Sequence, residues 1–254
     1  MTENKKQLPQ LHCLDIPITR TCNKKCSGCY YLPPYTKGHY APAKIAEWCK
    51  SASVTLKSNG FSDTPKQIEI VGGEPFLHPQ FPEVIESVRQ IWNTETLVFT
   101  NGLDGRKPLE YTDILRQYNC KVMVSAHSEA EVQWAEKLRA DFIERGVWAE
   151  VRNSFSKWKI MYDVEHSKDF VTIRSRTDPT LKKAQCRKQD GHCPSLYNGK
   201  IYPCSIWASF AALVAGEGKT NVRWDTNIEI VGRTLPPLPQ HFKGRYAVCQ
   251  FCGE

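Results

Sequence analysis

The 254-residue chain carries 34 Lys and Arg against 27 Asp and Glu, a formal charge of +7, and is 41% hydrophobic and 11% aromatic. This composition supports a packed core and excludes a disordered or low-complexity polypeptide. The first ten residues are polar and no run of roughly 18 uncharged apolar residues occurs, so the sequence predicts neither a signal peptide nor a membrane-spanning helix and implies a cytoplasmic protein.

The basic residues are spread along the chain. This reads as a solvated basic face and leaves nucleic acid open as a partner, with no membrane partner expected. Eleven cysteines in a long chain without a secretory signal, grouped at metal-like spacings, point to a reducing compartment and to metal ligation rather than to a disulfide framework.

Residues 14–19 alternate as a strand, and Cys22, Cys26 and Cys29 follow at once in a C-x3-C-x2-C run. That spacing places three thiolates in one loop at the strand's end. Zinc sites and most iron–sulfur clusters take four protein ligands, and no fourth Cys or His lies nearby, so three thiolates suit a cubane with one open iron. Part of a zinc knuckle, or three unpaired cysteines, is the blander alternative.

From Pro42 the chain alternates helical and strand patterns. Ile45, Trp48, Cys49, Ala52 and Leu56 form a helical stripe ended by Asn59-Gly60, which makes Cys49 a core residue. Residues 67–71 read as a strand, Phe81, Val84, Ile85, Val88, Ile91 and Trp92 as a helical face, and residues 96–100 and 121–125 as further strands. Ser128 with Glu131 reads as a capping box opening a helix that ends near Arg145-Gly146. Residues 147–151 follow as a fifth strand, and a sixth is expected at 159–164 with little or no helix before it. The order predicts an α/β fold, a parallel sheet covered by helices, whose ligands bind beyond the carboxyl ends of the strands.

The strand ends carry candidate site residues. Gly72-Gly73-Glu74-Pro75 follows the second strand: two glycines allow close backbone approach, and a carboxylate beside them suits an ammonium group. Thr100-Asn101-Gly102 follows the third and is either a plain turn or a ligand contact. Ser125 ends the fourth strand and Arg152 the fifth, the latter either solvated or ligand-binding. His127 is an acid–base candidate or a structural histidine. Cys13 and Cys120 read as buried small hydrophobes.

A second cysteine group starts at Cys186, followed by twelve residues, Gly199, four residues and Cys204, and the sequence closes with Cys249 and Cys252. Between them, Asn198-Gly199 flanked by two short strand patterns signals a type I′ hairpin. Four cysteines suffice to close one [4Fe–4S] cluster or a structural zinc site. Cys193 lies in the same segment and is an alternative ligand to Cys186.

The C-x3-C-x2-C loop after the first strand resembles the signature of the radical S-adenosylmethionine (radical SAM) superfamily, with Cys22, Cys26 and Cys29 at its ligand positions. The resemblance implies a partial (β/α)6 TIM-like barrel over residues 1–175. It also implies a [4Fe–4S] cluster whose open iron chelates S-adenosylmethionine, and reductive cleavage to a 5′-deoxyadenosyl radical that takes hydrogen from a substrate. Gly72, Gly73, Glu74 and Pro75 match the segment that holds the cofactor's methionyl amino group in that family. Ser125 and Arg152 fall where many relatives meet its ribose and carboxylate, and Thr100-Asn101-Gly102 resembles the family's usual sequence after the third strand, which makes Asn101 a cofactor-contact candidate. The family's usual aromatic residue before the third cysteine is Gly28 here, which shifts adenine contact to the backbone and Tyr30.

Residues 176–254 resemble the auxiliary-cluster region of the twitch and SPASM subfamilies. This implies a second [4Fe–4S] cluster on Cys186, Cys204, Cys249 and Cys252, acting as an electron relay, and a flavodoxin- or ferredoxin-type electron donor. The short stretch before Cys22 and the basic balance favour an enzyme acting on a compact polar substrate, a small molecule, a nucleotide or a modified nucleic-acid base. A peptide-modifying maturase or an activase is the alternative within the superfamily. A non-catalytic zinc or iron–sulfur protein that binds nucleic acid is the alternative outside it.

Overall fold

Every residue of β1 (Cys13–Thr19) is buried, as expected of a strand covered on both faces in a parallel sheet. The computed structural model describes residues 8–26, 29, 31, 37–102, 107–154, 162–166, 171–175, 194–202, 205–214 and 222–225. After β1 come α1 (Pro42–Ser58), β2 (Gln67–Gly72), α2 (Phe81–Ile91), β3 (Glu95–Thr100), α3 (Lys107–Glu110), α4 (Thr112–Gln117), β4 (Cys120–Ala126), α5 (Val132–Glu144) and β5 (Ala149–Asn153).

Proline in the first turn pre-sets φ for both α1 and α2. The α1 stripe Ile45, Trp48, Cys49, Ala52 and Leu56 is buried, and the helix stops where Gly60 takes φ +78°. α1 and α2 are joined through Trp92, whose indole N–H donates to Ser53 Oγ at 2.7 Å and to the Asp63 carbonyl at 2.9 Å.

β1 to β5 pair in sequence order, all parallel. Register partners share a face, so Leu14, Ile16, Ile18, Ile68, Ile70, Val98, Val122 and Val124 form one apolar side, packed into the same core as the α1 and α2 stripes. The opposite side is chemically mixed: Asp15, Glu69, Leu97 and Lys121 run across it in one row, and Ser125 and Arg152 stand side by side near the strand ends.

The sixth strand departs from expectation. Residues 159–161 of the expected segment lie outside the described residues. β6 (Tyr162–His166) does not extend the parallel sheet; it pairs antiparallel with β7 (Val171–Ser175), which pairs with β10 (Val222–Asp225) in a separate sheet. The sixth parallel strand is β8 (Ser195–Tyr197), which joins β1 on the side away from β2, and β9 (Lys200–Tyr202) follows antiparallel.

The turn joining β8 to β9 is Asn198-Gly199 with φ +47° and +72°, the type I′ pattern its residues demand. Residues 195–202, expected within a separate C-terminal unit over 176–254, therefore extend the first sheet. α6 (Ser205–Val214) adds to this, because Ser205 Oγ hydrogen-bonds Asp15 Oδ2 and Ser209 Oγ accepts from Arg20 Nη1 at 2.9 Å. No helix among the described residues is long and apolar enough to cross a membrane.

Candidate functional site

β1 ends at Thr19, and Arg20 and Thr21 lead directly into Cys22. Cys22, Cys26 and Cys29 are all half-buried on this loop, and the Cys29 N–H donates to the Cys26 carbonyl at 3.3 Å. Burial pushes the Cys22 thiol up to about 11 and raises that of Cys26 as well. Metal-free, both are neutral at pH 7, so binding a metal here must release protons.

The adjoining Gly-Gly turn is dictated by the cysteine loop's own backbone. A Cβ on Gly72, at φ +136°, would meet the Thr19 carbonyl oxygen at 2.2 Å, and one on Gly73 would meet that of Thr21 at 2.1 Å. Through this contact the Gly73 and Glu74 N–H groups donate to the Thr19 and Thr21 carbonyls, each at 2.8 Å. The glycines expected to make room for a ligand thus make room for the loop that carries the cysteines.

Glu74 is 2% exposed. Its Oε1 accepts from the Thr100 hydroxyl at 2.7 Å and the Phe76 N–H at 3.2 Å, and its Oε2 accepts from the Asn101 N–H at 2.7 Å. The carboxylate expected to receive an ammonium group therefore ties the β2 and β3 ends together. Asn101 carries the connection onward, with Nδ2 donating to Asn23 Oδ1 at 2.9 Å and to Cys22 Sγ at 3.6 Å. The Lys24 N–H also points at Cys22 Sγ, at 3.4 Å. Gly102, at φ +61°, passes so close to α5 that a Cβ would lie 2.4 Å from the Trp134 ring.

On the far side of the loop, Lys24 Nζ pairs with Glu131 Oε2 at 2.6 Å, with side chains only 11% and 24% exposed. The same Oε2 accepts the His127 N–H at 2.9 Å. The expected capping box is therefore not formed among the described residues: Ser128 makes no side-chain cap, and Glu131 accepts from the His127 N–H and from Lys24 of the cysteine loop. Burial works against the Glu131 charge, but the Lys24 and His127 hydrogen bonds outweigh it and hold the carboxyl below its ordinary value. Burial, then the Lys24 cation, brings His127 down to about 4, so it is uncharged at neutral pH.

The structure thus brings together the cysteine loop, the Gly-Gly-Glu-Pro turn and Asn101. Ser125 is half-buried and Arg152 exposed, adjacent to each other in register. Cys13 and Cys120 are buried as expected; Cys13 Sγ also lies within 4.8 Å of carboxylate oxygens of Asp15 and Glu69. Gly28, Tyr30, Cys186, Cys193, Cys204, Cys249 and Cys252 lie outside the described residues. Lys24 is a site residue the sequence reading missed, while Thr100 was read only as part of its strand-end turn and Glu131 only as a helix cap.

Three thiols on one half-buried loop at the carboxyl end of the first strand define an α/β protein with a cysteine-bearing loop beyond its parallel sheet. Residues 16–145, about half of the chain, match the radical SAM superfamily, and the chain belongs to that superfamily of enzymes. S-adenosylmethionine and a [4Fe–4S] cluster come with it.

The antilisterial bacteriocin subtilosin biosynthesis protein AlbA of Bacillus subtilis (strain 168) is 33% identical over 108 residues, 42% of this chain and 22% of that protein. GTP 3′,8-cyclase of Psychromonas ingrahamii is 31% identical over 91 residues, 35% of this chain and 25% of that protein. The matches thus span a quarter or less of these curated relatives. Streptococcus suis SuiB bound to precursor peptide SuiA aligns over 84% of this chain and 62% of its own, at 15% identity and TM-score 0.40. SuiB bound to S-adenosylmethionine aligns over 61% and 44%, at 14% identity and TM-score 0.35.

Proposed function

We propose that this chain reductively cleaves S-adenosylmethionine and uses the 5′-deoxyadenosyl radical to take hydrogen from a substrate. The observation that carries the reading is the hydrogen-bonded continuity of the cysteine loop with the ends of β2 and β3, through Glu74 and Asn101. Three soft donors on one loop, with the Cys22 and Cys26 thiols raised by burial so that a metal must displace their protons, fit a cluster on Cys22, Cys26 and Cys29. Bound there, the cluster supplies the electron for cleavage.

The chain's own residues position and shield. Gly72, Gly73 and Pro75 form the turn assigned to the methionyl amino group, and Glu74 holds that turn's shape because its oxygens already accept three of the chain's own donors. Asn101, Ser125, Arg152 and Tyr30 are assigned to the remaining parts of the cofactor. His127, uncharged and half-buried, is assigned a structural role.

The test is anaerobic reconstitution with dithionite as reductant, following 5′-deoxyadenosine. Wild type is expected to form it, and Cys22→Ala, Cys26→Ala and Cys29→Ala to fall to background. Undiminished product in all three would remove the site.

For the substrate, a peptide is the first reading, supported by the bacteriocin-biosynthesis relative. A nucleotide is the second, supported by the GTP cyclase relative. Incubation with GTP, and separately with short peptides encoded beside the gene, separates them: a mass change of the peptide favours the first, and GTP consumption the second.

A second [4Fe–4S] cluster on Cys186, Cys204, Cys249 and Cys252, with Cys193 as alternative ligand, belongs to the same proposal as an electron relay, as does a flavodoxin- or ferredoxin-type donor. Iron content decides the cluster count: about eight per chain for two cubanes, about four for one. Changing Cys249 and Cys252 to Ala is then expected to leave 5′-deoxyadenosine formation intact while the oxidised product disappears.

A further inference from the structure

Lys24 sits midway between Cys22 and Cys26 in the loop, yet its side chain turns away from solvent to the start of α5, where Glu131 Oε2 receives it at 2.6 Å. An exposed pair of this kind would be screened and weak, but with side chains 11% and 24% exposed the charges act through a poorly solvated medium. The pair is also fixed in place. Glu131 is held by the His127 N–H, and the loop is held from the opposite side by Asn101 Nδ2 on Asn23 and Cys22. Two opposite charges are thus pinned at the cysteine loop, the cation within the loop itself and the anion at the N-cap of α5.

We infer that Lys24 and Glu131 form an electrostatic clamp that sets the reduction potential of the cluster held by Cys22, Cys26 and Cys29, with Lys24 raising it and Glu131 lowering it. The inference rests on the three-cysteine cluster reading. One-electron reduction adds a negative charge to the cluster, which a fixed cation nearby stabilises and a fixed anion opposes. A clamp whose role was only to hold the loop would show no such opposition of sign, because loss of either partner would loosen the same contact.

The atoms provide a clean experiment. Both hydrogen bonds to Glu131 fall on one oxygen, Oε2, so the amide oxygen of Glu131→Gln can accept both while the negative charge is removed. The midpoint potential of the anaerobically reconstituted holoprotein is read by an electron-paramagnetic-resonance titration of the reduced cluster. Lys24→Met is expected to move it to more negative values, Glu131→Gln to more positive values, and Lys24→Arg to leave it near wild type.

Shifts of the same sign in the two charge-removing variants, or no shift in Glu131→Gln, would overturn the clamp. Should Lys24→Met fail to retain a cluster, Glu131→Gln alone decides: a positive shift supports the clamp, and a zero or negative one ends it. A wild type that assembles no cluster would instead remove the reading on which the clamp rests.

Discussion

At the scale of single residues, the cysteine loop is held in place by positions outside it that touch its backbone and side chains. A methyl group on Gly73 would lie 2.1 Å from the Thr21 carbonyl oxygen and 2.5 Å from its carbon, both backbone atoms that yield only if the loop moves. Gly73→Ala is therefore expected to cost about 1–3 kcal/mol as overpacking and to lower iron content per chain. Denaturant unfolding and iron analysis check this, and wild-type values for both would contradict it. Glu74→Ala leaves the Thr100 hydroxyl and the Phe76 and Asn101 N–H groups without their acceptor, at a cost of at least ~2 kcal/mol. Glu74→Gln keeps one acceptor oxygen and should fall between Ala and wild type. Equal stability of all three proteins would mean that the carboxylate is not the tie between the strand ends.

At the scale of elements, Arg20 binds the end of β1 to the later chain. It is 1% exposed, donates to the Tyr40 hydroxyl and Ser209 Oγ at 2.9 Å each, and lies over the Tyr40 and Tyr197 rings, while its Nη2 has no hydrogen-bond partner among the described residues. Truncation to Ala opens a cavity and is expected to cost about 2–5 kcal/mol, whereas Met keeps the volume and removes an unsatisfied buried donor, so Arg20→Met should cost clearly less. Urea unfolding of the two variants compares them, and a Met variant as unstable as the Ala variant would show that the charge itself stabilises. Arg20 also marks how far the sequence could be read. The α1 stripe, the β1 to β5 order and the Asn198-Gly199 hairpin were legible because each writes its period or turn chemistry into adjacent residues. The pairing of β8 with β1, and the burial of Arg20 beneath α6, have no local signature, since the partners are far apart in the chain. Glu131 was misread for a related reason: Ser-x-x-Glu looks the same whether the Glu caps its own helix or reaches another loop. The contacts among Cys22, Asn101 and Glu74 lay between, with their placement at strand ends readable and their hydrogen bonds not.

At the scale of the whole molecule, burial lowers the pKa of three histidines, His39, His78 and His127, the last to about 4. Below the unfolded value near 6.5 the unfolded chain binds protons that the folded chain refuses, so stability rises with pH through that range and is lost as pH falls from about 6.5 towards 4. Unfolding midpoints between those limits should drop with acidification, and His127→Gln should flatten part of the slope; a pH-independent midpoint would contradict the lowered pKa of these histidines. The strand order has a further consequence for how the chain is made. β1 is interior, with β2 on one side and β8 on the other, and Asp15 meets Ser205 across 190 residues of sequence. At ~5–20 residues per second, a ribosome takes on the order of 10–40 s to deliver that stretch. Throughout that interval the nascent polypeptide has an apolar strand with one unpaired edge, the form in which neighbouring chains on a polysome add to one another. Synthesis pauses upstream of residue 195 are therefore expected to prolong the aggregation-prone state, which ends with the arrival of the hairpin that pairs with the open edge of β1.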